Sequence, residues 1–311
     1  MTESRRSFLT ALTATAAAAG MSSLTGISPA AVAADPPVRS GKPLLKLSLA
    51  AYSFNKLMAR RGTPDQISAA KMTLEKFIDF CAAQELGAAE LTGYYFPHEV
   101  TSEYLLKIRQ KCHRLGIDVS GTAIGNDFCV AEGEQRDRQL QDCRDWIDYS
   151  AIMGAPVIRI FAGKVPKGDS EEAAIERCVA GINESLEYAA KKGIFLALEN
   201  HGGITATPDQ MLKIIEQVDQ SPWFGVNFDS GNFGTDDPYR DLARIAPYAV
   251  NAQIKVMMKS PDGQKYAADI PKAVGILKQA GYRGYVTLEF EEEHPFEEIP
   301  KYLAELRDII G

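Results

Sequence analysis

The stretch Leu196-Ala-Leu-Glu-Asn-His-Gly-Gly203 organises the reading of this chain. An apolar run from Ile194 to Leu198 has the length and composition of a buried strand. It ends in a carboxylate, Glu199, an amide, Asn200, and an imidazole, His201, after which two glycines let the backbone turn. A strand that delivers acid, amide and imidazole at its C-terminal end supplies groups for proton transfer or cation binding. The fold follows from whether that pattern repeats.

It repeats along the chain. Apolar runs that read as strands occur at Leu45 to Phe54, Ala88 to Leu91, Ile117 to Ile124 and Pro156 to Phe161, then at Ile194 to Leu198. Three more follow at Phe224 to Phe228, Val250 to Val256 and Tyr285 to Phe290. Segments with helical spacing of apolar residues alternate with them: Leu74 to Leu86, Ser102 to Leu115, Gln135 to Met153, Glu171 to Lys192, Pro208 to Val218, Tyr239 to Ile245, Asp269 to Ala280 and Phe296 to Ile310. Gly87, Gly116, Gly154, Gly193 and Gly281 each stand between a helix and the next strand, where a C-capping glycine belongs. Eight strand–helix units over residues 45–311 predict a single-domain (β/α)8 TIM barrel. A doubly wound sheet would show fewer units and a glycine-rich phosphate turn, and no G-x-G-x-x-G or P-loop occurs.

The ends of the chain read differently from the barrel. Residues 1–34 carry Ser4-Arg5-Arg6-Ser7-Phe8-Leu9, an Ala/Thr-rich stretch and a small-residue cleavage site at Ala31-Val32-Ala33. This is the pattern of a twin-arginine signal peptide and predicts an exported, extracytoplasmic protein. The stretch is too short and too weakly apolar for a stable membrane span. Residues 35–44 read as a linker containing Pro and Gly. Of 311 residues, 34 are Lys or Arg and 41 are Asp or Glu, a net charge of −7, and no basic block occurs. That balance disfavours nucleic acid as a partner and leaves a small molecule as the substrate; a homo-oligomer stays open. The five cysteines, Cys81, Cys112, Cys129, Cys143 and Cys178, show no C-x-x-C spacing and read as packed thiols.

In a TIM barrel the reacting groups come from the C-terminal ends of the strands. The fifth strand ends in Glu199, the sixth in Asp229, the seventh carries Gln253 and Lys255, and the eighth Glu289 and Glu291. Residues two apart on a strand share a face. Glu199, Asp229, Gln253 and Glu289 therefore form an oxygen-rich candidate ligand set on four successive strands. Such a set suits a hard divalent cation such as Mn²⁺ or Mg²⁺, which also relieves the repulsion of converging carboxylates.

Five motifs carry a resemblance to the sugar phosphate isomerases/epimerases of the xylose isomerase-like TIM barrel superfamily. They are Ala89-Glu90-Leu-Thr-Gly-Tyr-Tyr95, Ile158-Arg159-Ile-Phe161, Leu198-Glu199-Asn-His201, Asn227-Phe-Asp229-Ser-Gly-Asn232 and Leu288-Glu289-Phe-Glu291. The resemblance implies a divalent metal, Mn²⁺ foremost with Mg²⁺ or Co²⁺ as alternatives, held by Glu199, Asp229, Gln253 and Glu289. The family commonly has His-x-Lys on the seventh strand, whereas this chain has Gln253-Ile-Lys255; a Gln oxygen binds transition metals more weakly than imidazole. It further implies that Glu199 and Glu289 act as an acid/base pair on opposite faces of a sugar.

The expected activity is that of a sugar isomerase or epimerase, which removes a proton next to a carbonyl while a metal stabilises the enediolate. His201 is a rival base. Lys255 either stabilises the oxyanion or pairs with Glu289. Glu90, Arg159, Asn232 and Glu291 are candidate substrate-binding residues, with Glu90 and Arg159 alternatively pairing with each other. His98 and His294 follow strands and could reach the rim; His113 and Trp223 read as structural. Two other readings stay open: a metal-dependent lyase that β-eliminates from 3-keto-glycosides, which export would favour, and a non-catalytic sugar-binding barrel.

Overall fold

The computed structural model describes residues 34–311, so the twin-arginine leader expected over residues 1–34 falls, but for Ala34, outside the described residues. Eight parallel strands close into a barrel: β1 (Leu44–Ala50), β2 (Ala88–Thr92), β3 (Asp118–Ala123), β4 (Val157–Ile160), β5 (Phe195–Glu199), β6 (Phe224–Asp229), β7 (Ala249–Lys255) and β10 (Arg283–Glu289). The order around the barrel follows the chain, and β10 closes on β1 with Leu49 opposite Leu288. A short antiparallel hairpin, β8 (Met257–Lys259) and β9 (Lys265–Ala267), extends from the end of β7.

Outside the barrel lie α1 (Pro64–Ala69), α2 (Leu74–Ala83), α3 (Ser102–Leu115), α4 (Glu134–Met153), α5 (Glu171–Lys192), α6 (Pro208–Ile215), α7 (Pro238–Ile245), α8 (Ile270–Gln279) and α9 (Pro295–Ile310). Their starts are written locally. Thr73, Thr101, Ser170, Thr207, Asp237 and Asp269 each accept the backbone N–H of the third helical residue, which satisfies one otherwise orphaned donor. Apolar faces such as Leu105, Ile108 and Cys112 of α3 then bury against the strands. All five cysteines are buried free thiols. No helix among the described residues is long and apolar enough to cross a membrane.

The structure corrects the sequence expectation in several places, among them the sixth helix, which ends at Ile215 and not Val218. The first strand stops at Ala50, level with the end of β10 at Glu289, and Ala51–Phe54 forms a 3₁₀ turn although β2 runs on to Thr92. The second helix ends at Ala83 rather than Leu86, closed by a Leu86 N–H to Cys81 O bond of 3.1 Å. Glu85, not Gly87, takes the left-handed conformation there, with φ of 53°. The helix α1 follows a Thr63-Pro-Asp-Gln66 capping box that periodicity alone passes over, because the helix has only six residues. The β8–β9 hairpin turns at Ser260-Pro-Asp-Gly263, with Gly263 at φ of 84°, a composition that itself signals a turn.

The barrel interior is polar in layers: a buried Ser48–Ser120 hydrogen bond of 2.8 Å lies below, and a larger amide and carboxylate layer lies toward the mouth. Glu90, Asn227, Asn251 and Gln253 are buried there and bonded to one another. A polar layer of this kind persists only when its members satisfy each other, and it forms the floor on which the site rests.

Candidate active site at the barrel mouth

A cavity of about 310 Å³ opens at the C-terminal ends of the strands. Arg159, Glu199, His201, Asn232, Lys255, Glu289 and Glu291, all predicted from sequence, line it. Asp229 lies behind Lys255, fully buried.

Glu199 is fixed by three neighbours. Arg159 Nε lies 2.7 Å from its Oε2, Asn232 donates to Oε1 at 2.9 Å, and Asn227 donates to Oε2 at 3.3 Å. Arg159 is held in turn: it donates to Ile124 O at 2.6 Å and to Tyr94 Oη at 3.2 Å, and its guanidinium lies 3.8 Å from the Phe161 ring centre. The alternative Arg159–Glu90 pairing is therefore not formed. Glu90 instead accepts from Asn251 at 3.0 Å and Gln253 at 2.6 Å. It is completely buried one layer below the cavity, which corrects its expected role in contacting substrate: the amides of β7 close over it.

Lys255 is the second cation of the site. Its ammonium lies 3.3 Å from Glu289 and 3.5 Å from Asp229 and pairs most closely with Glu291. Asn200 does not face the cavity. Its carboxamide clamps the end of β6, donating to Asp229 O at 2.9 Å and accepting from Asp229 N at 3.0 Å. The amide of the opening Glu-Asn-His run thus aligns two strand ends. His201, beyond it, turns its ring onto Phe161 with centres 4.2 Å apart. Trp223 packs against Phe195, as expected of a structural residue. His98 and His294 do not line the cavity.

Burial and charge set the protonation states. Burial pushes the Glu199 carboxyl up, against Arg159 and with Glu289, to about 7. Burial raises Asp229 well above the usual carboxylate range, and Lys255 offsets only part of this. Burial also lifts Glu90 to about 7, opposed by the amides that bond it. Partial burial, with Arg159 and Lys255 nearby, pushes the His201 imidazole down to about 4. Burial alone would lower the Lys255 ammonium, but Asp229, Glu289 and Glu291 outweigh it and hold it well above its ordinary value.

The donor chemistry suits a divalent cation in two respects. The carboxylates are hard oxygen donors. Asp229 Oδ2 is buried and accepts no hydrogen bond. Four carboxylates (Glu199, Asp229, Glu289 and Glu291) share direct ion pairs with two cations, Arg159 and Lys255, while Arg60 and Lys259 stand further round the cavity. As placed, however, the side chains hold Arg159 and Lys255. No group of three or more His, Cys, Asp or Glu among the described residues has the geometry to hold a metal. Gln253, expected as the fourth ligand, has its oxygen engaged by Asn227 at 2.7 Å and its nitrogen by Glu90. The site fits the cation in kind through Glu199, Asp229 and Glu289, and least well through Gln253.

Tyr94, Phe161 and Asn227 were not singled out as site residues from sequence. Each had a signal: Tyr94 and Phe161 sit just past the ends of β2 and β4, and Asn227 lies two residues before Asp229 on the same face.

A family model described as xylose isomerase-like TIM barrel matches residues 78–309. No curated protein sequence matches the chain. Among solved structures, a xylose isomerase domain protein from Planctomyces limnophilus is 21% identical, with a TM-score of 0.64, covering 86% of this chain and 98% of that one. A xylose isomerase-like TIM barrel protein from Mycobacterium smegmatis, in complex with magnesium, is 16% identical with a TM-score of 0.65, covering 86% and 98%. A D-psicose 3-epimerase in the presence of D-fructose is 16% identical with a TM-score of 0.67, covering 86% and 99%. At these identities the likeness establishes the shared barrel.

Proposed function

The chain belongs to the xylose isomerase-like TIM barrel family, and from that premise we propose that it is a carbohydrate isomerase or epimerase that moves a proton on carbon next to a carbonyl. The observation that carries this reading is the pair of carboxylates, Glu199 and Glu289, brought from β5 and β10 onto one cavity with the Lys255 ammonium beside them.

A general base works best when its pKa lies near the working pH. Glu199, lifted to about 7, meets that condition, and its contacts with Arg159 and Asn232 fix its direction. His201, neutral well below pH 7, is a weak base and serves as a hydrogen-bonding wall. Glu199 removes the proton, and negative charge then grows on the carbonyl oxygen. Lys255 and Arg159 are the fixed cations that stabilise it in a partly water-excluded cavity. Glu289, entering the cycle as the acid partner, delivers its proton to carbon, and the proton held by Glu199 passes to solvent to reset the pair. Return to the same carbon from the opposite face gives an epimer; return to the neighbouring carbon gives an aldose–ketose pair. Glu199, Asp229 and Glu289, with Gln253 as the fourth donor, would hold a divalent cation, Mn²⁺ foremost. Such an ion supplies Lewis-acid polarisation of adjacent sugar oxygens.

Incubation of purified protein with ketoses, aldoses and reducing disaccharides, with and without Mn²⁺, tests this by separating epimers and isomers chromatographically. Conversion of at least one sugar, lost in Glu199→Gln, is expected. No conversion of any of these sugars under either condition would overturn the isomerase reading. The export expected from residues 1–34 belongs to the same proposal. N-terminal sequencing of protein recovered outside the cytoplasm should begin near Ala34 or Asp35, and an intact Met1 terminus there would refute it.

A further inference from the structure

Beside the catalytic cavity lies a second chamber of about 320 Å³. It is lined by Asn126, Asp127, Lys164 and Thr205, and by two residues it shares with the first, Phe161 and His201. The two chambers are of nearly equal size, each at the lower end of the ~300–1,000 Å³ range of ligand sites. The Phe161–His201 pair, with ring planes tilted by 35°, is the edge they share.

The loops after β3, β4 and β5 build this chamber and lock one another. Asn126 Nδ2 donates to Phe161 O at 2.7 Å, and its Oδ1 accepts from Phe161 N at 2.9 Å. Phe128 N donates to Ala162 O at 2.9 Å, and Ile204 N to Gly163 O at 3.3 Å. Gly163 has φ of 117°, and a Cβ there would fall 1.9 Å from Asp127 Oδ1. The backbone approach is therefore so close that only glycine fits. Asp127 Oδ1 accepts from Cys129 N at 2.9 Å, which orients the carboxylate and leaves Oδ2 without a hydrogen bond among the described residues. The chamber thus offers aromatic ring surface, an oriented carboxylate with a free oxygen, and a lysine with no ion-pair partner among the described residues.

An apolar face beside carboxylate and ammonium groups complements a polyhydroxylated ring, whose C–H faces stack on aromatic surface while its hydroxyls bond to charged groups. We propose that the substrate carries two rings. The ring that exchanges its proton occupies the first chamber, and a second sugar ring occupies this one, against Phe161 and His201 and hydrogen-bonded to Asp127. The substrate class is a disaccharide or glycoside, not a free monosaccharide; this rests on the carbohydrate reading above. His201 is then a positioning residue between two subsites.

Saturation-transfer NMR on the full chain tests the inference with glucose, fructose, maltose, cellobiose, trehalose and sucrose as probes. At least one disaccharide should show saturation on both rings and bind about tenfold or more tightly than its component monosaccharides. In Asp127→Asn, which keeps the acceptor for Cys129 N, and in Lys164→Trp, which fills the chamber from an exposed loop position, that ratio should fall toward one, with melting temperatures confirming the fold. Disaccharides that bind no better than monosaccharides, or a ratio unmoved in both variants, would overturn the two-ring substrate while leaving the carbohydrate reading standing. Binding of none of the six sugars would overturn both.

Discussion

Two residues at the barrel mouth carry charges that make measurable claims. Glu90 is buried among amides, and its carboxyl is raised from an ordinary 4.5 to about 7. Between those values the folded chain keeps a proton that the unfolded chain has released. Stability contributed at this position therefore falls as pH rises through that window and levels off above it. The shift corresponds to about 3 kcal/mol. Urea unfolding of metal-free protein should show a smaller loss of stability between pH 5 and pH 8 in Glu90→Gln than in wild type; equal losses would mean that Glu90 is ionised throughout. Lys255 holds Asp229, Glu289 and Glu291 together. Removing one partner of a buried charge cluster costs about 3–5 kcal/mol, so metal-free Lys255→Met should melt well below wild type. Mn²⁺ should raise its melting temperature more than it raises that of wild type, because the vacated charge then falls to the ion. A Lys255→Met variant as stable as wild type would show that the carboxylates are already protonated.

At the scale of elements, most of the architecture was legible, and the reasons are local. The Thr207-Pro208 start of α6 and the left-handed glycines Gly116, Gly154, Gly193 and Gly281 punctuate the chain where helices begin and end. Strands such as β4 (Val157–Ile160) and β5 (Phe195–Glu199) stand out as mainly apolar runs because barrel strands are buried on both faces. What escaped was short or depended on tertiary neighbours. The six-residue α1 and the three-residue strands of the hairpin fall below the length at which periodicity can be seen. The end of β1 has no mark in the local pattern, because the 3₁₀ turn Ala51–Phe54 continues the apolar run. Gly87 looks like a helix cap in sequence, yet Glu85 takes the strained conformation instead. This difference is testable. Gly154→Ala, at φ of 86°, should lose about 1 kcal/mol or more in thermal unfolding. Gly87→Ala, whose added Cβ would find its nearest neighbour at 3.7 Å, should be close to neutral. Equal losses would contradict the assignment of the cap to Glu85.

Across the whole molecule, the site is a consequence of closure. The barrel brings residues more than a hundred positions apart, such as Glu90 and Asn251 at 3.0 Å, into one polar layer. Sequence could say which residues stand at strand ends, because strand parity and order are local information. It could not say how deep each lies. That is why Glu199, His201, Lys255 and Glu289 meet on one cavity as anticipated, while Glu90 and Gln253 belong to the layer beneath it. Nor could it foresee that Arg159 would choose Glu199 over Glu90, a choice settled by the contacts with Ile124 O and Tyr94 that aim the guanidinium. The central claim is that this layered mouth transfers a proton on carbon, and isotope exchange reads that step directly. Wild-type protein in D₂O with a sugar it turns over should place deuterium on the carbon next to the carbonyl, and Glu199→Gln should slow the exchange by about 10²–10⁴. Turnover without deuterium entering that carbon, or exchange that survives unchanged in Glu199→Gln, would contradict it.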